Sequence, residues 1–372
     1  MKPLVSIITP SYNQGKFIRQ TIESVFMQDY ENVEYIVVDG GSKDDTLSIL
    51  KEYEGKLTYI SERDNGQSDA INKGFRMAKG EIVAWLNSDD TYEPGCISRA
   101  VEEFARNDKI GLVYGDGYIT DAEDRKIKVF EYTQEFDLWK LVNYWDYIMQ
   151  PATFFRASYL KEVGYLDVEL QYCMDWDLWI KLASVSEVKY INEILACSRE
   201  YGDTKTSTGG EERLKEIIRL LQKYSRKVEP LGVTSYKAST RYTKYAKGMI
   251  SRFVFGRYLG CVHERLNKKI PRRYEDGWIG EEYCFLVPMF KRKISIILIS
   301  INNIELPVRI NVNDILYSEY VFRQAEEKLF YIELPKSNGE LFNSVEILSG
   351  RTFKVEGDTR DLSVRVNDII IS

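Results

Sequence analysis

The stretch IVAWLNSDDTYEPG, residues 82–95, carries an apolar run through Leu86 and then stops on Asn87, Ser88 and two adjacent carboxylates, Asp89 and Asp90. A short apolar run followed by a polar turn reads as a buried strand. The negative charge therefore sits at that strand's carboxyl end. Two roles are open to it. The acids can cap a helix that starts near Pro94, since Asp is common at such caps. They can also meet a hard divalent cation, because Mg²⁺ and Mn²⁺ prefer carboxylate oxygens and usually share them with phosphates.

The same pattern recurs on either side. Residues 4–9, 35–38, 57–60 and 112–114 also read as strands, being short and apolar and leading into polar turns. Between them, residues 16–28 place Phe17, Ile18, Ile22, Val25 and Phe26 on one helical face. Ser42-Lys43-Asp44-Asp45 resembles a capping box before a helix over 47–53. A third helix is expected over 68–79, and a fourth with Pro94 in its first turn. This alternation predicts an α/β fold with right-handed crossovers and a mostly parallel, Rossmann-like sheet. Ligands of such sheets bind beyond the carboxyl ends of the strands. Four of those ends are polar: Thr9-Pro10-Ser11-Tyr12-Asn13, Asp39-Gly40-Gly41-Ser42, residues 62–66 and residues 87–90.

Further along, the periodicity changes. Residues 206–290 read as helical, most clearly over 212–224, where Leu214, Ile217, Ile218 and Leu221 share a face. From 291 onward, KISIILISI, PVRINVN and LSVRV alternate apolar and polar residues, which predicts a small all-β sandwich. The expected organisation is 1–205, an α/β domain; 206–290, a helical extension; and 291–372, a β-sandwich.

Composition limits the function classes. A chain of 372 residues, 44% hydrophobic and 29% charged, is a folded multi-domain protein. Its five cysteines lack C-x-x-C spacing and are odd in number, which fits a reducing cytoplasm. The N-terminal apolar run is far shorter than the roughly 18 residues of a membrane span, and no signal-peptide pattern follows it. A net charge of −6 argues against a general nucleic-acid binder. Residues 237–273 depart from that balance, with eleven Lys/Arg against the single acid Glu264, interleaved with Phe253, Phe255, Tyr258 and Leu259. This segment is either a solvated helix face or a surface for an anionic membrane, where aromatics anchor and basic residues add attraction.

Several residues suit a ligand. Asp39 ends a strand and meets two glycines that let a ligand approach the backbone. Tyr12 offers a flat face for stacking. In CMDWDLW, residues 173–179, Asp177 suits a helix N-terminus. Asp175, flanked by Met174 and Trp176, is better placed to act as a general base in a partly apolar site. Trp139, Tyr144, Trp145 and Tyr147 are either ligand-stacking faces or core.

The phrases VSIITPSYNQGKFIRQTIESVFMQDY, EYIVVDGGSKDDT, DNGQSDAINKGF, GEIVAWLNSDDTYEPG, QPATFFRASYLKEVGYLD and CMDWDLWIKLA resemble, in order and spacing, the family 2 inverting glycosyltransferases of the GT-A fold over about the first 200 residues. The resemblance implies a nucleotide-sugar site. Thr9, Pro10 and Tyr12 would line the base pocket, and Asp39 would bond the base, usually uracil. Gly66, Gln67 and Asp69 would lie along the nucleoside, and Asn87-Ser88-Asp89 would stand at the Asp-x-Asp motif. Asp89 would hold Mn²⁺ or Mg²⁺, with Asp90 or water helping, Asp175 would deprotonate the acceptor hydroxyl, and Gln150 and Trp176 would contact the acceptor sugar.

One departure is that Asn87 brings no charge to the cation; another is that the single histidine, His263, lies outside the matched region. Arg199 or Lys205 is therefore assigned to the diphosphate. The implied activity is transfer to a glycan hydroxyl, on a polyprenyl-diphosphate-linked acceptor, in bacterial surface-polysaccharide synthesis. The implied location is the cytoplasm, with peripheral contact at the inner face of the plasma membrane; a homo-oligomer is compatible with the sequence. The competing class is a non-catalytic sugar-nucleotide or glycan-binding protein. A nucleotidyltransferase would need a Gly-rich triphosphate loop that TPSYNQGKF lacks, and no G-x-G-x-x-G follows any strand, which excludes a dehydrogenase.

Overall fold

The computed structural model describes residues 2–202, 204–301, 305–336, 340–353, 360 and 362–372. They form two compact units, Met1–Asp137 with Tyr144–Lys244, and Leu138–Asn143 with Tyr245–Ser372. In chain order the elements are β1 (Val5–Ser11), α1 (Ile18–Phe26), β2 (Val33–Asp39), α2 (Thr46–Glu52), β3 (Thr58–Ser61), α3 (Gln67–Met77), β4 (Ile82–Trp85), β5 (Thr91–Tyr92), α4 (Cys96–Arg106), β6 (Ile110–Thr120) and β7 (Lys126–Val129). There follow α5 (Leu138–Asn143), β8 (Thr153–Arg156), α6 (Ala157–Val163), α7 (Met174–Val185), β9 (Glu187–Arg199), α8 (Lys205–Thr208), α9 (Gly210–Ser225), α10 (Leu231–Tyr245) and α11 (Met249–Asn267). The chain ends in strands β10 (Glu282–Pro288), β11 (Lys293–Ser300), β12 (Leu306–Val312), β13 (Ile315–Phe322), β14 (Glu326–Glu333), β15 (Phe342–Ser349) and β16 (Arg365–Ile371).

The first unit is built on one sheet of order β3-β2-β1-β4-β8-β6-β9-β5, with β7 on β6. β3, β2, β1 and β4 are parallel, β8 is antiparallel to both neighbours, and β6 and β9 are parallel. The inner strands are buried along their length, as a sheet covered on both faces requires. On one face Ile7, Val37 and Ala84 pack with Ile18 and Ile22 of α1 and Ile97 and Phe104 of α4. On the other, Ile36 and Val38 pack with Ala70 of α3. α3 approaches β1 so closely that a Cβ on Gly74 would meet Ile8 Cγ2 at 2.4 Å.

Strand order reverses between β1 and β4, and there the sheet opens. β1 stays with β2 as far as Ser11 opposite Asp39. Its pairing with β4 ends at Ile8 opposite Trp85, followed by one last bond from Leu86 N–H to the Ile8 carbonyl at 2.9 Å. Pro10, which has no N–H for a ladder, lies just past this parting. A crevice at such a switch point is where α/β sheets bind ligands.

Local details differ from the sequence expectation. The capping box does not form: Ser42 turns back to Asp39, and Asp44 Oδ1 accepts the Thr46 N–H at 3.0 Å. α4 starts at Cys96 after a left-handed Gly95 (φ 80°), so Pro94 precedes the helix. α7 starts at Met174 and takes in Asp175 in its first turn. The stretch read as helical up to 290 contains β10, whose Cys284 and Val287 are buried.

The second unit carries two antiparallel sheets, β10-β15-β12-β13 and β14-β11-β16. They share one core, with Val308, Ile310, Val345 and Ile347 from the first and Ile294, Ile296, Leu298 and Phe330 from the second. This is the expected sandwich. Leu362, Val364 and Val366 are buried as their alternation predicts, although β16 itself begins at Arg365.

Candidate active site

The parting of β1 and β4 opens into a cavity of about 970 Å³. Pro10, Ser11 and Tyr12 come from the end of β1, residues 87–90 from the turn after β4, Gly66 and Gln67 from the start of α3, and Asp175 and Trp176 from the first turn of α7. Gly66 has φ 110°, a conformation that glycine adopts at little cost. Tyr12 is exposed and Trp176 buried.

Three expected residues do not line this cavity. Thr9 is buried and shares a hydrogen bond with the Tyr35 hydroxyl at 3.0 Å. Asp39 is also buried; its carboxylate accepts the N–H groups of Gly41 and Ser42 at 3.0 and 2.9 Å and the hydroxyls of Ser42 and Ser61. Asp69 accepts the Asn65 N–H at 3.1 Å and lies 3.6 Å from the Lys73 ammonium. Thr9 ties β1 to β2, while Asp39 and Asp69 organise the loops behind the site.

Asn87 is the hub of the β4 turn. Its amide oxygen accepts from Gln67 Nε2 at 2.9 Å, and its amide nitrogen donates to Gln150 Oε1 at 2.9 Å and to Asp90 Oδ2 at 3.1 Å. Gln150 closes the network by donating to the Trp85 carbonyl at 2.9 Å. Gln150, expected to contact an acceptor, thus has its amide committed to holding the strand end.

Asp89 and Asp90 have separate tasks. Asp90 is buried, and its second oxygen accepts the Arg199 N–H at 3.0 Å. Burial and the neighbouring Asp89 charge push its proton affinity up. With a protein donor on each oxygen, Asp90 braces the turn. Asp89 is half-buried and lines the cavity, with one oxygen accepting from the Tyr201 hydroxyl at 2.9 Å. Burial raises its proton affinity, and a cation would offset that cost. A single carboxylate facing an open cavity fits Mg²⁺ or Mn²⁺, which take remaining ligands from phosphates and water. Among the described residues no group of three or more His, Cys, Asp or Glu is arranged as a metal cluster.

Arg199, assigned by sequence to the diphosphate, borders the cavity, but its side chain is already held by the protein. Its guanidinium is buried and donates to the carbonyls of Asp89, Asp121 and Ala122, to Gln20 and to the Asp124 carboxylate. Those bonds engage all three of its nitrogens and brace the Asp89 turn from behind. Lys205 lines the same cavity and donates to Gln67 Oε1 at 3.1 Å.

At the far wall, burial raises the proton affinity of Asp175, against the pull of the Trp176 N–H, Arg213 and Lys205. A second carboxylate, Asp146, lines the same region, and burial followed by the charge of Asp175 raises its proton affinity well above the usual range. Arg213 of α9 and Tyr236 of α10 complete this end. Asp177 faces away: it is buried between Lys181 at 3.0 Å, Lys223 at 2.9 Å and the Tyr224 hydroxyl. Tyr144 and Tyr147, possible sugar platforms by sequence, are fully buried core.

Tyr201, Arg213, Tyr236 and Asp146 were not singled out by the sequence. Only Tyr201 carried a local signal, two residues after Arg199.

The family model "Glycosyl transferase family 2" matches residues 6–164. An uncharacterized glycosyltransferase of Rickettsia typhi is 32% identical over 248 residues, which is 64% of this chain and 76% of the relative. The chondroitin synthase of Escherichia coli is 28% identical over 244 residues, 64% of this chain and 34% of the relative. Among solved structures, S. aureus TarS 1-349 in complex with UDP-GlcNAc matches at 17% identity and a TM-score of 0.49, covering 71% of this chain and 83% of that one.

Proposed function

Because the chain belongs to glycosyl transferase family 2, and is therefore a glycosyltransferase, we propose that it moves a sugar from a nucleotide-sugar, a UDP-sugar in the first instance, to a glycan hydroxyl with inversion. The observation that carries this reading is that Asp89 and Asp175 line one cavity, reached from the β4 turn on one side and the α7 N-terminus on the other.

In this reading the exposed Tyr12 ring stacks on the base, and Asn87, Ser88, Gly66 and Gln67 border the nucleoside. Asp89 would hold the divalent cation, which would supply positive charge against that growing on the departing diphosphate. Lys205 adds a second positive charge. Asp175 accepts the acceptor hydroxyl's proton as that oxygen bonds to the anomeric carbon; the bond from carbon to the diphosphate oxygen breaks, and its electron pair leaves with the nucleotide. Attack and departure on opposite faces give inversion. General-base help of this kind is worth about 10²–10⁴-fold.

The acceptor proposed is a glycan on a polyprenyl-diphosphate lipid, in surface-polysaccharide synthesis at the inner face of the plasma membrane. One feature supports it: α11 exposes Phe253, Val254 and Tyr258 among basic residues. The deciding experiment incubates the protein with UDP-, GDP- and dTDP-sugars and Mn²⁺ and follows nucleoside diphosphate release. Release that needs both Asp89 and Asp175 is expected. Binding of nucleotide-sugar without turnover under every condition would favour a non-catalytic binder.

A further inference from the structure

The geometry points to Glu216, on α9, as a positioning residue for the general base Asp175; this rests on the proposed role of Asp175. Glu216 is buried, and its carboxylate accepts three consecutive backbone N–H groups: Gln171 at 2.9 Å, Tyr172 at 2.5 Å and Cys173 at 2.7 Å. These are the last residues before α7, whose first turn carries Asp175. The N-cap residue, Cys173, supplies no side-chain cap of its own. A carboxylate from another helix performs that task.

The segment is fixed at two further points. α3 holds its beginning, with Asn72 bonded both ways to the Leu166 backbone at 2.9 and 3.1 Å and the Ser68 hydroxyl donating to the Leu170 carbonyl at 3.3 Å. Two residues beyond Asp175, α9 holds α7 again, through Lys223 and Tyr224 on Asp177. Asp175 therefore lies between two anchor points on one helix. Arg213, one turn before Glu216 on α9, lines the cavity near Asp175. Movement of α9 would shift the base and its cationic neighbour together.

Charge-assisted bonds from one carboxylate to three amides are stronger than neutral ones. A glutamine keeps the shape but offers one acceptor oxygen and turns an NH₂ group toward an N–H donor. Glu216→Gln should therefore loosen residues 171–175 without emptying the core. A displacement of about 1 Å in a reacting group can cost about 10²-fold in rate.

The test compares wild type, Glu216→Gln, Glu216→Asp and Asp175→Asn, using UDP-sugars and Mn²⁺. For Glu216→Gln the expected results are faster hydrogen exchange at the amides of 171–173, kcat for nucleotide release down about 10- to 100-fold, and unchanged UDP affinity. Glu216→Asp, which keeps the charge on a shorter arm, should fall between. Unchanged exchange at 171–173 overturns the inference. So does unchanged kcat, or a loss of UDP affinity and melting temperature in proportion to kcat, which would mark a merely structural residue. Full activity in Asp175→Asn would instead remove the base assignment, and the two failures are thereby told apart.

Discussion

Arg199 and Asp89 are joined through the main chain: the Arg199 Nε donates to the Asp89 carbonyl oxygen at 2.8 Å, while the Asp89 carboxylate turns to the cavity and to Tyr201. A buried cation thus sets the direction of an acid without pairing with it. Arg199→Ala leaves the carbonyls of Asp89, Asp121 and Ala122 without their donor, and a buried acceptor left unsatisfied costs about 1–3 kcal/mol. A lower melting temperature and weaker Mn²⁺ binding are expected, read by thermal unfolding with and without Mn²⁺. Normal cation affinity in a folded variant would show that the turn holds itself.

Asn87→Asp, which creates the two-acid motif that this chain lacks, is expected to harm the protein. Asn87 Nδ2 donates to Asp90 and to Gln150; a carboxylate would face Asp90 and lose both donations. Left unsatisfied, such buried groups cost about 1–3 kcal/mol. The loss should appear in urea unfolding without divalent cations and shrink when Mn²⁺ is added. A variant more stable than wild type in EDTA would contradict the network.

Asp175→Asn should reduce turnover by about 10²–10⁴-fold while UDP binding persists. The wild-type pH profile carries a related expectation. Asp175 works deprotonated and its proton affinity is raised, mainly by burial. Activity should therefore fall as pH drops through a value above the usual aspartate range. Lys205 opposes that rise, so Lys205→Met should move the acidic limb of kcat/KM to still higher pH. A shift to lower pH would be the wrong sign.

Asp177 gives an acid-stability prediction. Burial alone would raise its proton affinity, but Lys181, Tyr224 and Lys223 together bring it below the ordinary value. A carboxylate held lower in the folded state than in the unfolded one adds stability above its unfolded value, and that stability is lost as pH falls through the folded one. Asp177→Asn should lower stability at neutral pH and flatten its decline in acid, measured by urea titrations across the acidic range. An unchanged slope would mean that other groups govern acid unfolding.

The α11 surface makes a fifth case. Phe253 is 65% exposed and Arg257 lies 5.8 Å from the centre of its ring. Flotation with vesicles containing anionic lipid should retain the protein, and Phe253→Asp should release it. Equal flotation with neutral vesicles would exclude the charge-based attachment.

The parallel sheet was legible because its strand ends repeat one pattern, an apolar run closed by polar residues, and because both faces of those strands are buried. The β-sandwich was legible from two-residue alternation. What periodicity could not carry was the destination of each polar side chain. Asp39 and Asp69 look like ligands by position, and the fold shows what position cannot, that each carboxylate also accepts backbone N–H groups from its own loop. Arg199 reaches back to Gln20 in α1 and Asp124 before β7, contacts distant in sequence that no local motif records. Glu216, Arg213 and Tyr236 come from helices outside the matched family segment, so only the folded chain brings them to Asp175.

That last arrangement bears on how this enzyme can be dissected. A recombinant fragment cut where the family match stops, at 164, would lack α7 altogether, and one cut at 205 would keep Asp175 but lose the Glu216 carboxylate beneath it. The shortest piece worth expressing runs through α10, and loss of turnover in anything briefer would report missing scaffolding instead of a wrongly chosen donor.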